Sequence, residues 1–312
     1  MNREILIDRL RSLISEPLPL PGGGETPRRH EMLMNMGRED LSLARLAEAH
    51  WDAVSILAEA GRDPEPHALY GVWASEIPGE PLTLSSCQGN LTIIGRKQFC
   101  SGAGLIDRAL ITIGTPDHLL VDFDLRDAGA SIQYDHSGWK TSAFAATKTA
   151  KATFALARCS DRDIVGGPSW YLERPGFWHG ACGPAACWAG GAEGILDYAL
   201  NQSRADAHTL AHLGAMRASV WALKSFLSKA GDEIDEEPFA TRKARIRART
   251  VRHLVEQECT EVLRRLARAY GPRPMTADED MSRRYQELDL YLRQTHAERD
   301  LEALGRDLHE DA

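Results

Sequence analysis

Two short segments place small hydroxyl side chains where strands are predicted to end. Ala74-Ser75-Glu76 and Cys100-Ser101-Gly102 lie beside runs of β-branched and apolar residues that Gly and Pro interrupt, a pattern typical of strands. Hydroxyl groups and bare backbone at such strand ends can approach a planar ligand and hydrogen-bond to it. The same serines can equally well cap turns, so a purely structural interpretation stands beside the chemical one.

Other chemistries have weaker support in the sequence. His179, Cys182 and Cys187 lie close together, but their spacing does not repeat as a paired zinc-ligand motif. The chain contains no G-x-S-x-G nucleophile motif and no G-x-G-x-x-G dinucleotide motif. No Gly-Lys-Ser/Thr follows the triple glycine Gly22-Gly23-Gly24, so we interpret this loop as a flexible linker rather than a phosphate loop.

Length and charge limit the class of protein. The 312 residues are 43% apolar, which is enough for the core of one large or two medium domains. The net charge of −8 argues against nucleic acid as a partner, because phosphate binding depends on Lys and Arg. Six scattered cysteines indicate free thiols in a reducing, cytoplasmic compartment. The charged N-terminus does not read as a signal peptide, and no apolar run has the length of a membrane span.

Periodicity separates helical from strand regions. Residues 2–15 and 38–60 follow the helical period, whereas 70–158 shows short runs of period two between frequent turns, which predicts an antiparallel sheet or barrel. From Gly180 onward the pattern is helical again. It predicts a bundle of four helices: a Gly/Ala-rich segment after Gly180, a helix around Leu213 to Leu227, and helices over 242–270 and 283–304.

Several motifs together resemble the acyl-CoA dehydrogenase family. GVWASE, a Pro-Gly turn and GRKQFCSGA resemble the flavin-contacting segments of that family's β-domain. The similarity continues through GWKTS, LERPGF, YALNQSR and RRYQELDLYLRQTHAERDLEALG, in the order in which the family carries them. The resemblance implies an α+β fold with short N-terminal helices (1–69), a central antiparallel β-domain (70–172) and a C-terminal four-helix bundle (173–312). The N-terminal α-domain is shorter than is usual in the family.

The resemblance also implies FAD as the cofactor. Ala74 and Ser75 on one segment, and Phe99 and Ser101 on the other, match positions that contact the isoalloxazine ring. Arg204 resembles an arginine that pairs with the cofactor diphosphate, although it can also be a solvated cation at a helix end. The aromatic residue and the glycine that usually follow this arginine are absent.

Two carboxylates are candidates for the catalytic base that the family's chemistry needs. Removal of the α-proton of an acyl thioester calls for a carboxylate whose pKa an apolar pocket raises. By resemblance, Glu298 falls within one residue of the commonest base position, and Glu173 matches a position that some branches use. As alternatives, Glu298 is an ordinary acid on a helix surface, and Glu173 pairs with Arg174. Glu-Arg-Asp stands where the family has Glu-Gly-Thr or Glu-Gly-Ser.

Three functional hypotheses follow. The first is FAD-dependent α,β-dehydrogenation of an acyl-CoA or similar acyl compound, with an electron-transfer protein as acceptor and a homodimer or homotetramer as the assembly. The second is a flavin-dependent monooxygenase on the same fold, for which His296 is relevant because a related branch carries a histidine in that region. The third is a degenerate, non-catalytic binding protein. Gly79-Glu80-Pro81 and Gly271-Pro272-Arg273 replace two family motifs and motivate this third hypothesis.

Overall fold

The computed structural model describes residues 3–87, 90–114 and 117–309. Within these ranges the helices are α1 (Arg3–Leu13), α2 (Thr26–Glu39), α3 (Leu41–Glu59), α4 (Trp170–Glu173), α5 (Pro175–Gly180), α6 (Cys182–Leu200), α7 (Ala207–Glu236), α8 (Thr241–Tyr270), α9 (Arg273–Thr276), α10 (Glu279–Leu292) and α11 (Glu298–His309). The strands are β1 (Tyr70–Trp73), β2 (Thr83–Cys87), β3 (Asn90–Cys100), β4 (Arg108–Ile113), β5 (Leu119–Asp124), β6 (Ile132–Asp135), β7 (Ala150–Cys159) and β8 (Ile164–Val165). None of the described helices combines the length and the hydropathy that a membrane crossing requires.

The strands form two four-stranded sheets. The order of the first sheet is β1-β4-β5-β8, and that of the second is β2-β3-β7-β6. Neighbouring strands are antiparallel, with the exception of the parallel pair β1 and β4. The predicted α+β fold with an antiparallel central β-domain is therefore confirmed.

Both sheets belong to one compact unit, which contains the described residues of Met1–Ser15 and Leu46–Phe177. In this unit Ile56 of α3 packs into a buried cluster with Leu110 of β4 and Leu120 of β5. The apolar runs that predict β4 and β5 are thus the residues that the helix covers. Burial of such side chains contributes about 2 kcal/mol each.

The bundle belongs to a second compact unit, which contains Glu16–Arg45 and the described residues of Trp178–Ala312. Helices α6, α7 and α8 pack against one another, and α10 packs on α6 and α8. This arrangement confirms the predicted C-terminal four-helix bundle. Helix α2 adds a further helix, because it packs against α6 and α7.

The structure corrects the interpretation of the triple-glycine loop. The backbone amides of Gly24 and Thr26 donate to the carboxylate of Asp235, at 3.0 and 2.8 Å, and α2 begins at Thr26. The loop is therefore an anchored helix entry and not a flexible linker. Gly22 allows the loop to approach Pro238 closely, since a Cβ on Gly22 would lie 2.7 Å from the Cβ of Pro238.

The last predicted helix is divided in two. Helix α10 ends at Leu292 and α11 begins at Glu298, whereas the sequence predicts one helix over 283–304. Ala297 has a φ of 46°, which a right-handed helix does not accommodate. Residues 293–300, RQTHAERD, contain one apolar residue, so the apolar period lapses at this break. The domain boundaries near residues 69 and 172 remain predictions.

Candidate functional site

A β-bulge in β3 turns Phe99 outward. Lys97 pairs with Ala152 and Cys100 pairs with Ala150, so β3 contains one more residue than β7 in this interval. Phe99 has a φ of 58° and is 54% exposed. A positive φ is costly for an aromatic residue, and such strain clusters at functional sites. The bulge therefore presents an aromatic ring on the surface of the first unit.

Ser101 follows the bulge and is fixed by neighbours from two other segments. The indole Nε1 of Trp73 donates to the carbonyl oxygen of Ser101 at 2.9 Å. The Oγ of Ser101 lies 3.0 Å from the Oγ1 of Thr149, which in turn lies 2.8 Å from the Oγ1 of Thr147. The hydroxyl groups of Ser101 and Thr149 thus hold each other in place, and the backbone amide of Ser101 donates to the carbonyl oxygen of Phe99 at 2.9 Å.

The first polar segment lies beside the second. Trp73 ends β1 and bonds to Ser101, so Ala74 and Ser75 start the neighbouring loop. The carbonyl oxygen of Ala74 accepts a hydrogen bond of 3.2 Å from Thr112 Oγ1, and Ser75 is exposed. The structure therefore brings together the two segments on which the sequence places ring contacts. Their role in cofactor binding remains a prediction.

A cavity of about 450 Å³ adjoins this pair of segments. Its volume is in the range of small-molecule and cofactor sites. Thr149, the partner of Ser101, is part of its wall. The lining combines basic, hydroxyl and aromatic side chains with bare backbone: Arg3, Ala103, Gly104, Leu105, His136, Trp139, Thr141, Ala145, Lys148 and Thr149.

Sequence reasoning missed the cavity residues Lys148 and Thr149. The motif GWKTS drew attention to Trp139, whose indole Nε1 donates to the carbonyl oxygen of Ala143 at 2.8 Å and is thereby oriented. Lys148 has a φ of 49°, a second strained residue near Ser101. The threonines at 147 and 149, two hydroxyl side chains just before the predicted strand at Ala152 to Ala157, were the available signal.

Glu173 ends α4 and is exposed to solvent. Its neighbour Arg174 is buried and pairs with Glu59, and not with Glu173 as the structural alternative supposed. The guanidinium of Arg174 also lies over the rings of Trp170 and Tyr171, at 5.7 and 5.2 Å. Glu173 is therefore exposed to solvent rather than enclosed by apolar side chains, and its catalytic role remains a prediction.

The remaining predicted residues belong to the second unit. Arg204 lies in the loop before α7, where its Nε donates to Asp206 at 2.6 Å. Asp206 is the N-cap of α7 and accepts from the backbone amide of Thr209. Glu298 is the first residue of α11 and is exposed, as is His296. Cofactor and base roles for Arg204 and Glu298 stay predictions.

Comparisons with protein-family models and with curated proteins gave no match to this sequence. Solved structures do share its fold. FMN-bound TdsC from Paenibacillus sp. A11-2 superposes with a TM-score of 0.81 at 17% identity, covering 99% of this chain and 90% of TdsC. The methanesulfinate monooxygenase MsuC from Pseudomonas fluorescens gives a TM-score of 0.76 at 18% identity, covering 99% of this chain and 90% of MsuC.

A third structure is KijD3 in complex with FMN and dTDP-3-amino-2,3,6-trideoxy-4-keto-3-methyl-D-glucose. It gives a TM-score of 0.76 at 15% identity, and the match covers 94% of this chain and 88% of KijD3. At these identities the similarity concerns the fold. The chain therefore has the acyl-CoA dehydrogenase-like fold, which it shares with these three structures.

Proposed function

We propose that the chain is a flavin-dependent monooxygenase that holds the flavin ring against Phe99. The observation that carries this proposal is the bulge in β3, which presents an exposed aromatic ring next to the hydroxyl pair of Ser101 and Thr149. Aromatic rings stack on planar ligands, and adjacent hydroxyls can satisfy the polar edge of such a ligand. Ala74 and Ser75 follow Trp73, which bonds to Ser101, and we propose that they add backbone groups and a hydroxyl to this surface.

The basic lining of the cavity suits the phosphate of the cofactor. Arg3, His136 and Lys148 contribute donors that attract a phosphate, and Trp139 contributes an aromatic wall. We infer FMN rather than the FAD that the motifs imply. TdsC and KijD3 are described with FMN, and Arg204, the residue expected to bind a diphosphate, is engaged with Asp206.

The oxygenase proposal explains why no buried base is needed. A reduced flavin, when bound, supplies two electrons to dioxygen, so that one oxygen atom enters the substrate and the other leaves as water. The residues of the chain hold and orient the ring. The exposure of Glu173 and Glu298 supports this chemistry over α-proton abstraction from an acyl thioester, which requires a carboxylate in apolar surroundings. TdsC and MsuC are described as monooxygenases.

Flavin binding is tested by fluorescence titration of FMN with the purified protein. We expect Phe99→Ala to weaken FMN binding about tenfold, because the stacking contribution of the ring is lost. Phe239→Ala is the matched control, since Phe239 is 88% exposed in the second unit and should leave the affinity unchanged. Equal affinity of the Phe99→Ala variant and the wild type would contradict the proposed ring position.

The reaction is tested with reduced FMN, dioxygen labelled with oxygen-18, and probe substrates. Indole and dibenzothiophene are suitable probes, because TdsC is described with both. Incorporation of one labelled atom into the probe supports a monooxygenase. Anaerobic bleaching of bound flavin by an acyl-CoA, lost in Glu298→Gln or Glu173→Gln, would instead support the dehydrogenase hypothesis. Failure to bind FMN or FAD would favour the non-catalytic hypothesis.

A further inference from the structure

Lys97 is buried directly behind the segment that carries Phe99. It lies in β3, two residues before Phe99, and is 1% exposed. Its Nζ donates to the carbonyl oxygen of Thr112 at 2.8 Å and to the Oγ1 of Thr112 at 2.9 Å. Both acceptors are neutral, so a charged ammonium is placed in the interior of the unit with hydrogen bonds to uncharged oxygens. Lysine is almost never fully buried unless its ammonium group has a partner.

Thr112 links Lys97 to Ala74 through hydrogen bonds. Its Oγ1 accepts from Lys97 and therefore directs its own hydrogen to the carbonyl oxygen of Ala74, at 3.2 Å. The chain of hydrogen bonds runs from β3 through β4 to the end of β1. It joins the two segments that carry Phe99 and Ala74.

The pKa of Lys97 lies only slightly above neutral pH, so the side chain is charged at pH 7. Burial lowers its pKa to about 8, and the charge of Glu76 opposes this shift. Cys100 is the other titratable group that faces Lys97, and burial raises the pKa of its thiol to about 12. Cys100 therefore stays neutral while Lys97 loses its proton between pH 7 and 9.5.

We propose that Lys97 is a positioning residue for the flavin, and that its charge favours the reduced form of the ring. This inference rests on the proposed flavin site beside Phe99. Two electrons and one proton, taken up by a bound flavin from an external donor such as dithionite, would give the neutral ring one negative charge. A cation in the dry interior behind that ring attracts this charge, because Coulomb interactions weaken little where water is excluded. The hydrogen-bond chain to Ala74 at the same time fixes the backbone that the ring contacts.

Substitutions separate the electrostatic role of the Lys97 charge from the positioning role of its hydrogen bonds. Lys97→Met removes the charge and the hydrogen bonds, whereas Thr112→Val keeps the charge and breaks the chain to Ala74. We measure the dissociation constants of oxidised and dithionite-reduced FMN at pH 7, together with the midpoint potential of bound FMN. We expect Lys97→Met to weaken binding of reduced FMN about tenfold more than binding of oxidised FMN. This ratio corresponds to a potential lower by about 30 mV for a two-electron couple.

Thr112→Val should weaken the binding of both redox forms equally and leave the potential unchanged. In the wild-type protein, Lys97 becomes neutral when the pH is raised from 7 to 9.5. The ratio of the affinity for reduced FMN to that for oxidised FMN should therefore fall about tenfold, after correction for the pH dependence of free FMN. This measurement needs no variant, so it tests the charge even if Lys97→Met fails to fold.

An unchanged ratio in folded Lys97→Met, or a wild-type ratio that does not change with pH, would overturn the role of the charge. Equal affinities of Thr112→Val and the wild type would overturn the positioning role. Absence of flavin binding to the wild-type protein is a different result, because it refutes the proposed function itself. Binding of flavin with an unaltered Lys97→Met potential refutes only this inference.

Discussion

Arg174 shows how a single residue fixes the end of the first unit. Its side chain is 3% exposed, it forms an ion pair with Glu59 of α3, and two aromatic rings of α4 lie against its guanidinium. Arginine suits this position because its planar group can stack and form an ion pair at the same time. The contact ties α4 to α3 and leaves Glu173 on the solvent side. The orientation of a predicted catalytic carboxylate is thus a consequence of its neighbour.

We expect Arg174→Met to lower the free energy of unfolding by about 2 kcal/mol, because Glu59 loses its partner and the rings lose their cation contacts. Urea-induced unfolding followed by tryptophan fluorescence measures this change. Arg162→Met is the control, since Arg162 is exposed in a turn of the same unit and should change the stability by less than about 0.5 kcal/mol. Similar stabilities of the two variants would show that the Arg174 contacts contribute little.

At the scale of elements, glycines set the distance between α2 and α6. A Cβ on Gly190 would lie 1.9 Å from the carbonyl oxygen of Met34, and a Cβ on Gly37 would lie 2.3 Å from that of Cys187. The two backbones are therefore in direct contact. The Gly/Ala-rich composition of α6, which lowers its intrinsic helix propensity, is required by this approach.

Gly190→Ala should destabilise the protein by about 3 kcal/mol or prevent folding, because the added methyl group meets backbone that cannot rotate away. Gly214→Ala in α7 is the matched control. A Cβ at Gly214 meets nothing within 4 Å, and alanine should stabilise the exposed helix by about 1 kcal/mol. Thermal unfolding followed by circular dichroism compares the two variants. A neutral effect at Gly190 would contradict the direct contact between the backbones of α2 and α6.

At the scale of the whole molecule, each unit contains a buried histidine. His30 of the second unit bonds through Nδ1 to the carbonyl oxygen of Leu227, and His50 of the first unit accepts through Nδ1 from the amide of Tyr70. Burial lowers the pKa of both side chains to about 4. The folded protein therefore holds both imidazoles neutral at pH values where an unfolded chain protonates them.

Because the pKa of these two histidines is lower in the folded state than in the unfolded state, we expect both units to lose stability in acid. Between pH 6.5 and 4 the unfolded state binds protons that the folded state excludes, so stability is full above pH 6.5 and falls as the pH decreases. Each histidine accounts for a loss of about 3 kcal/mol over this interval. Urea midpoints at pH 7, 5.5 and 4.5 measure the trend in the wild type and in His50→Asn, which should lose less stability on acidification.

His67→Asn is the control for this experiment. His67 is exposed in the same unit, so the variant should follow the pH profile of the wild type. If His50→Asn also followed the wild-type profile, burial of His50 would have no part in the acid sensitivity.

The sequence by itself determined the elements whose signals are local. The apolar runs of β4 and β5 and the helical period of α7 and α8 predict these elements because strand and helix place successive side chains on fixed faces. The order of weak motifs also predicted the α+β fold that the structure confirms. It further indicated the two segments around Ser75 and Ser101, since their residue types and strand-end positions are visible in the chain.

Only the tertiary structure decided the features that depend on distant partners. Helix α2 was missed because its segment is polar, and its Arg29 and His30 are buried only because Pro19 and Leu227 supply carbonyl oxygens to them. Lys97 reads as a surface lysine until β4 places Thr112 beside it. Local periodicity reports which face is apolar, whereas a buried polar group is stable only with partners that the fold brings from elsewhere in the chain.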